Sequence, residues 1–414
     1  MATDPVVRTT YGAVRGQLVG QVAAFRGIPF AAPPIGHRRF KSPAPPSPWA
    51  GVRDATTFSP TPPQPPSSVG MPGLTLVPLA GEEWRKGDDY LTLNVWTPDP
   101  GARELPVMVF IYGGGFVVGG SSTPLYSGER FARDGVVLVS FNYRLGIEGF
   151  LPLAGGDTNL GIRDQIAALT WVQDNITAFG GNPNRVTIFG QSAGAICVDT
   201  LLAISSAQGL FCRGISQSGS AEYSMSREQA SRFATRLGVL AGAEPTREGF
   251  AALTPEQLIA AQVRYRTGLL ELTTAQDTDP SDGLLTFMPV RDGDILPESP
   301  IDAIRHGASS SVEMLAGTTS QELNLEYALS GLLTNLSERQ LHESLGARLS
   351  DHSTLLDAYC AAYPQARPGE LYSAIMGDWT FWIPTIRLAE ARAAARGATY
   401  LYEFPGPHRP WADS

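Results

Sequence analysis

A turn between a short strand and a helix, within residues 185–204, limits most strongly what this chain can fold into. Val186–Phe189 is a β-branched and aromatic run, which is typical of a buried strand. Ala195–Ile204 contains neither Gly nor Pro, which favours a helix. Between them lies the sequence Gly-Gln-Ser-Ala-Gly, centred on Ser192. A serine at the apex of such a turn has strained backbone angles and an exposed hydroxyl, so the pattern predicts that Ser192 is a nucleophile.

A run of three glycines predicts the groups that would stabilise an oxyanion next to this serine. Leu105–Tyr112 is a continuous apolar stretch, as in a strand covered on both faces, and glycines 113–115 follow it. Such glycines let backbone N–H groups point into a cleft. We expect an oxyanion hole formed by the N–H groups of Gly114, Gly115 and Ala193. A phosphate-binding loop is the alternative for the glycines, but no Gly-x-x-x-x-Gly-Lys-Ser/Thr occurs.

The order of strand and helix patterns along the chain predicts an α/β fold. Val136–Phe141 and Ala398–Phe404 are further strand candidates. From Asn159 to Phe179, apolar residues recur at intervals of three and four, which indicates a helix. Strands that alternate with helices in this way predict a mostly parallel sheet with helices on both faces. The alternating stretch Val6–Val19 adds a small N-terminal β-hairpin.

Composition and charge exclude several classes of protein. The chain has 414 residues, of which 43% are hydrophobic, so a sizeable core is expected. A net charge of −9 argues against nucleic acid or an anionic membrane as a partner. Three cysteines, at 197, 212 and 360, form no disulfide framework. No signal peptide and no apolar run of about 18 residues are visible, so we expect a cytoplasmic protein. We also expect a monomer or weak homo-oligomer without a metal or cofactor.

Several motifs together make the chain resemble the type B carboxylesterases, an α/β-hydrolase family that includes bacterial p-nitrobenzyl-type esterases and the cholinesterases. The matching segments occur in the family's order: FRGIPFAAPP (25–34), YGGGF (112–116), NYRLG (142–146), FGGNP (179–183), FGQSAGA (189–195) and QSGS (217–220). The resemblance implies an α/β-hydrolase fold in a single domain over residues 1–414. It also implies hydrolysis of small carboxylic esters, with an acyl-enzyme on Ser192.

The same resemblance implies an acid member for the site and several supporting residues. The family carries its acid in a Gly-Thr-x-x-x-Glu context after a strand, and residues 317–322 have that form, with Glu322 in the acid's place. A carboxylate there fixes the tautomer of an imidazole and stabilises the imidazolium. Ser218 resembles a serine that hydrogen-bonds this acid. Two structural ion pairs are implied as well: Arg39 with Asp88, and Arg144 with Asp164.

The histidines leave the general base open. The family places its histidine on a loop after the last long strand, in a His-(Ala/Gly)-x-Glu context that this sequence lacks. The five histidines are His37, His306, His342, His352 and His408. Only His408 follows both Glu322 and the last strand, so we expect either that His408 is the base or that the chain lacks a C-terminal segment with the histidine loop. The alternative to a hydrolase is a catalytically impaired esterase scaffold with a binding or interaction role.

Overall fold

The strands and helices follow the alternation that the sequence predicts. The computed structural model describes residues 4–66, 84–272, 285–348 and 351–406. Within these ranges the strands are β1 (Val6–Arg8), β2 (Ala13–Arg15), β3 (Gln17–Val19), β4 (Val22–Pro29), β5 (Val52–Asp54), β6 (Thr92–Thr97), β7 (Leu105–Ile111), β8 (Val137–Phe141), β9 (Gly181–Gln191), β10 (Arg213–Gln217), β11 (Glu313–Thr319) and β12 (Thr399–Phe404).

The α-helices lie between and after these strands. They are α1 (Glu129–Arg133), α2 (Gly146–Phe150), α3 (Leu160–Asn175), α4 (Ala193–Ala203), α5 (Arg227–Ala241), α6 (Arg247–Ala251), α7 (Pro255–Leu272), α8 (Pro300–Arg305), α9 (Asn324–Leu329), α10 (Leu332–Asn335), α11 (Glu338–Gly346), α12 (His352–Ala362), α13 (Pro368–Gly377) and α14 (Ile383–Ala394). A π-helical turn, Asp378–Trp382, joins the last two.

A nine-stranded sheet forms the centre of the molecule, in the order β12-β11-β10-β9-β7-β8-β6-β4-β3. The pairs from β12 to β8 are parallel, and those from β8 to β3 are antiparallel. The predicted, mostly parallel sheet is therefore present. Since β7, β9, β10 and β11 are parallel neighbours, their carboxyl ends meet at one edge, where α/β folds form their sites.

Burial follows the apolar patterns of the sequence. Every residue of β8 is buried, and β7 is buried along its second half. The predicted helix Asn159–Phe179 is observed as α3 followed by a 3₁₀ turn, Ile176–Phe179. Gly180 ends this segment with a φ of 88°. A glycine adopts this left-handed conformation without a steric penalty, so the helix stops where the pattern predicts.

The predicted N-terminal hairpin is present but shorter than expected. Strands β1 and β2 pair antiparallel, with Val6 opposite Arg15. The turn between them is closed by the N–H of Thr9, which donates to the carbonyl of Gly12 at 2.9 Å. Strand β3, which was predicted as part of the hairpin, instead pairs with β4 in the large sheet.

The ion pair between Arg144 and Asp164 is confirmed and lies in the core. Both residues are at most 1% exposed. The guanidinium binds the carboxylate with two hydrogen bonds, Nε to Oδ2 at 2.8 Å and Nη2 to Oδ1 at 2.6 Å. Burying either charge without a partner would cost free energy, and the bidentate hydrogen bonding offsets this cost for both side chains. The pair fixes the segment after β8 to α3.

The predicted pair between Arg39 and Asp88 is wrong. Arg39 Nη2 lies 2.9 Å from Glu148 Oε1. Its Nη1 donates to the carbonyls of Ala251 and Leu253 at 2.8 and 2.7 Å. These three acceptors come from two segments that dock on the N-terminal region, and they occupy the guanidinium in place of Asp88.

A carboxyl group is buried on helix α4. Asp199 is 0% exposed. Its Oδ2 accepts a hydrogen bond from Ser216 Oγ at 3.1 Å, and its Oδ1 has no hydrogen-bond partner among the described residues. Burial raises the pKa of Asp199 to about 7, while the Ser216 hydrogen bond and the charge of Arg392 act in the opposite direction. The cost of burying the negative charge is therefore only partly offset.

We expect the stability of the fold to fall as pH rises because of Asp199. An unfolded aspartate titrates near pH 3.9, below the folded value of about 7, so the unfolded state loses this proton first. The free energy of unfolding therefore falls as pH rises from the unfolded to the folded pKa of Asp199, and it does not change further at higher pH. Asp199→Asn should therefore raise the free energy of unfolding by up to about 4 kcal/mol at pH 8, with a gain that shrinks below pH 7.

Urea unfolding of the wild type and Asp199→Asn at pH 5.5 and pH 8 measures this effect. The control is Thr200→Val, which replaces the next buried side chain of the same helix without changing charge. Its effect on stability should be the same at both pH values. A pH-independent effect of Asp199→Asn would contradict the raised pKa.

Candidate active site

Ser192 lies at the apex of a strained turn between β9 and α4. Its φ of 56° and ψ of −126° fall outside the regions that a serine ordinarily adopts. Its N–H donates to the carbonyl of Gln217 at 2.9 Å, and its carbonyl accepts from the N–H of Ile196 at 3.0 Å. The strand-turn-helix geometry predicted from the sequence is thus present, and Ser192 is only half-buried.

The glycines on both sides of Ser192 are required by close packing. A Cβ on Gly194 would lie 2.0 Å from the carbonyl oxygen of Ile111, and one on Gly190 would lie 2.4 Å from that of Gly194. Contacts this short are sterically impossible for a side-chain carbon. The two glycines therefore let β9 and α4 close against each other and against the end of β7, which keeps the serine at the apex.

The N–H groups predicted to form the oxyanion hole belong to the glycine loop and to the start of α4. None of the N–H groups of Gly114, Gly115 and Ala193 donates a hydrogen bond to a residue in the described ranges. The glycine loop turns back on itself because Val117 and Val118 both donate to the carbonyl of Gly114, at 3.0 and 3.1 Å. Ala193 is the first residue of α4, where the amides of a helix are unpaired and favour negative charge.

Alanine at the two loop glycines is expected to have unequal effects. A Cβ on Gly114 would lie 2.0 Å from the carbonyl oxygen of Val118, so the loop would have to move. A Cβ on Gly115 would meet only Leu285 Cδ2, at 3.9 Å, although φ is 63°. We expect Gly114→Ala to lower kcat about 100-fold or more, as when an oxyanion donor is lost. Gly115→Ala should lower it less.

Hydrolysis of p-nitrophenyl acetate by the two glycine variants measures the difference. Thermal unfolding of both variants shows whether each is folded. Equal losses of kcat in two folded variants would contradict the steric argument.

Glu322 lies three residues beyond β11 and is held by two hydrogen bonds. Ser218 Oγ donates to its Oε1 at 2.7 Å, and the backbone N–H of Thr319 donates to the same oxygen at 2.6 Å. Burial raises the pKa of Glu322, and these hydrogen bonds act against the increase. The contact between Ser218 and Glu322 that the resemblance implied is therefore present, with the carboxylate in a fixed position.

Sheet register brings these parts to one place. Gln217 is the register partner of both Gln191 and Gly317, so Ser192, Ser218 and the loop to Glu322 leave adjacent strands at the same level. A cleft of about 570 Å³ opens beside them. Its lining residues include Gln191, Gln217, Ser218, Thr319 and Glu322, with Tyr402 and Phe404 of β12. The cleft leaves room for a further group next to the Glu322 carboxylate.

The described histidines lie away from this cleft. His37 is exposed in a 3₁₀ turn, His306 Nδ1 lies 3.0 Å from Glu298, and His342 and His352 contact each other with ring centres 5.7 Å apart. Within the ranges that the structure covers, no histidine is hydrogen-bonded to Ser192 or Glu322. His408, the candidate base, lies outside the described residues.

The described residues include a buried thiol, but neither a metal-binding cluster nor a membrane-spanning helix. Burial raises the pKa of the Cys197 thiol to about 12, so it is not a thiolate nucleophile. In the part of the chain that the structure describes, no group of three or more His, Cys, Asp or Glu residues could hold a metal ion. The same part has no helix with the length and apolar character needed to span a bilayer.

Two contacts of the site were not predicted from the sequence. The carbonyl of Gln217 binds the backbone of Ser192, and Asp199 binds Ser216 just before Ser218. The first has no sequence signal, because any residue supplies a carbonyl. The contact between Asp199 and Ser216 did have a sequence signal, because Asp199 interrupts the apolar sequence of α4, AGAICVDTLLA.

Comparison with known proteins identifies the family of this chain. The model of the carboxylesterase family matches residues 3–413. Para-nitrobenzyl esterase of Bacillus subtilis (strain 168) is 37% identical over 409 residues, which are 97% of this chain and 78% of that protein. Phenmedipham hydrolase of Pseudarthrobacter oxydans is 35% identical over 418 residues, 98% of this chain and 80% of that protein.

A solved structure shows the same architecture. Carboxylesterase EST55 of Geobacillus stearothermophilus superimposes with a TM-score of 0.83 at 35% identity, over 98% of this chain and 81% of that one. At this identity the likeness extends beyond the fold to the family. The chain therefore belongs to the carboxylesterase family of ester hydrolases and has its α/β-hydrolase fold.

Proposed function

We propose that this chain hydrolyses small carboxylic esters through an acyl-enzyme on Ser192. The observation that carries the proposal is a strained serine at the edge of the sheet where Ser218 holds Glu322. The glycine loop lies next to this serine, since a Cβ on Gly113 would lie 3.2 Å from Ser192 Cβ, and the N–H groups of Gly114, Gly115 and Ala193 donate no hydrogen bond within the described ranges. This arrangement supplies a nucleophile, donors for an oxyanion and an acid that orients an imidazole.

In the proposed reaction, a histidine between Glu322 and Ser192 takes the proton of Ser192 Oγ, and Oγ attacks the ester carbonyl carbon. The N–H groups of Gly114, Gly115 and Ala193 donate to the resulting oxyanion. The intermediate collapses, and the alcohol leaves with the proton from the imidazolium. Water, deprotonated by the same imidazole, then releases the carboxylic acid and restores the serine.

The proposal allows two sources of the imidazole, which are His408 and a histidine of a further C-terminal segment. One observation bears on His408 as the source. The N–H of Gly406 donates to Ser320 Oγ at 3.1 Å, and Ser320 is two residues before Glu322. The described part of the chain thus ends beside the acid, and two further residues can span at most about 7 Å.

The substrate class is proposed from chemistry and from the name of one relative. Ester hydrolysis is the chemistry of the family, and one relative is a para-nitrobenzyl esterase. We therefore propose short-chain and aryl or benzyl esters. We also propose one domain over residues 1–414, a cytoplasmic location, and a monomer or weak homo-oligomer.

Hydrolysis of p-nitrophenyl acetate, together with a fluorophosphonate probe and peptide mapping of its adduct, tests the proposal. We expect turnover and an adduct on Ser192. Labelling without turnover would indicate a nucleophile that lacks its base, which is the impaired scaffold. An adduct on another residue, or none, would contradict the assignment of Ser192.

The His408→Gln variant decides the source of the base. Turnover lower by several orders of magnitude assigns the role to His408, because a glutamine cannot accept the serine proton. Turnover equal to that of the wild type excludes His408 as the base. His352→Gln, in which the changed residue contacts His342 on a separate helix, is the control.

A further inference from the structure

Three consecutive residues at the end of β10 each contact a different part of the site. Ser216 Oγ donates to Asp199 Oδ2 at 3.1 Å. The carbonyl of Gln217 accepts from the N–H of Ser192 at 2.9 Å. Ser218 Oγ donates to Glu322 Oε1 at 2.7 Å. The segment 216–218 thus joins the nucleophile, the acid and a buried carboxyl group.

Asp199 lies against this segment from the helix that begins at the nucleophile. It follows Ser192 by seven residues and lies about two turns into α4. A Cβ on Gly219 would lie 2.8 Å from Asp199 Oδ2 and 2.4 Å from Ser216 Oγ. The carboxyl group therefore packs directly on the backbone that follows Ser218.

The segment that Asp199 contacts is itself strained. Ser218 has a φ of 55°, in the left-handed region that disfavours a serine. Such a conformation persists only where surrounding contacts hold it. The hydrogen bond from Ser216 and the packing on Gly219 fix the backbone on both sides of Ser218.

Stability alone does not account for a carboxyl group at this position. Asp199 is fully buried with Oδ1 unpartnered among the described residues. The nearby charge belongs to Arg392, whose Nε donates to Thr399 and whose Nη2 donates to the carbonyl of Val312. No hydrogen bond or ion pair joins Arg392 to Asp199 within the described ranges. A small apolar residue would fill the site at lower cost.

We propose that Asp199 is a positioning residue that holds the 216–218 segment and thereby sets Ser192 and Glu322 relative to each other. The inference rests on the proposed function, since it assigns a role within that same site. A residue that costs stability where it supports an active site fits the trade-off between stability and activity.

Two substitutions at Asp199 and one control separate positioning from plain packing. Asp199→Ala removes the acceptor for Ser216, whereas Asp199→Asn keeps a side-chain oxygen for it. Val198→Ala makes a cavity in the same helix, where Val198 lies near β10 at Gly214, before the segment. The measurements are kcat and KM for p-nitrophenyl acetate and the melting temperature at pH 8.

We expect Asp199→Ala to lower kcat about tenfold or more with KM unchanged, because small displacements of reacting groups are costly. Its melting temperature at pH 8 should not fall. Asp199→Asn should retain kcat within about threefold of the wild type. Val198→Ala should melt at lower temperature and keep kcat. A wild-type kcat in Asp199→Ala, or an equal loss of kcat in Val198→Ala, would overturn the inference.

Hydrogen–deuterium exchange tests the same role without turnover. Peptides covering residues 190–194 and 214–220 should exchange faster in Asp199→Ala than in the wild type or Val198→Ala. Unchanged exchange in Asp199→Ala overturns the inference. A wild-type chain that neither turns over nor reacts with the fluorophosphonate overturns the proposed function instead, and exchange then still decides the role of Asp199.

Discussion

Replacing Ser192 with alanine is expected to lower ester turnover by about 10⁶-fold, the size of loss seen when a serine hydrolase loses its nucleophile. Without the hydroxyl the proposed acyl-enzyme cannot form, and water must attack the ester directly. The amides of Gly114, Gly115 and Ala193 would still bind an oxyanion, so a residual rate about 10³-fold above water should remain. Labelling by the fluorophosphonate should be abolished.

Initial rates with p-nitrophenyl acetate, corrected by titration of active sites in the wild type, measure this loss. The matched control is Ser205→Ala, an exposed serine just beyond the far end of helix α4. It should keep wild-type turnover and labelling. Turnover in Ser192→Ala above about 1% of the wild type would show that another group is the nucleophile.

The turn at Ser192 could be predicted from sequence because its causes are local. Gly190 and Gly194 are needed where a Cβ would collide with backbone atoms 2.0 to 2.4 Å away. The buried strand before the turn and the helix after it follow from apolar runs a few residues long. Steric constraints of this kind appear in the sequence as fixed residue types at fixed spacing.

Contacts that depend on which loops dock together could not be predicted. Arg39 pairs with Glu148 and with carbonyls more than 200 residues away, and no sequence pattern near Arg39 indicates these partners. The order of the sheet is a similar case, because β8 inserts between β7 and β6. Hydrogen bonds to backbone groups, such as the N–H of Thr319 to Glu322, leave no residue-type signal either.

Glu322→Gln is expected to lower kcat by about 10⁴-fold while leaving the fold intact, as when the acid of a serine triad becomes an amide. The glutamine keeps the volume of the side chain, and its carbonyl oxygen can still accept from Ser218 and Thr319. A neutral amide, however, does not stabilise an imidazolium and can hold the imidazole in the wrong tautomer. The loss is therefore electrostatic and not steric.

Stability should separate this effect from unfolding. Since burial raises the pKa of Glu322, the folded state disfavours its negative charge, and the neutral glutamine should melt at pH 8 no lower than the wild type. Glu326→Gln, the same change one turn further on in α9, is the control and should keep full turnover. If Glu322→Gln kept turnover within tenfold of the wild type, Ser192 would be activated without this carboxylate. The hydrogen bond from Ser218 would then be a purely structural contact.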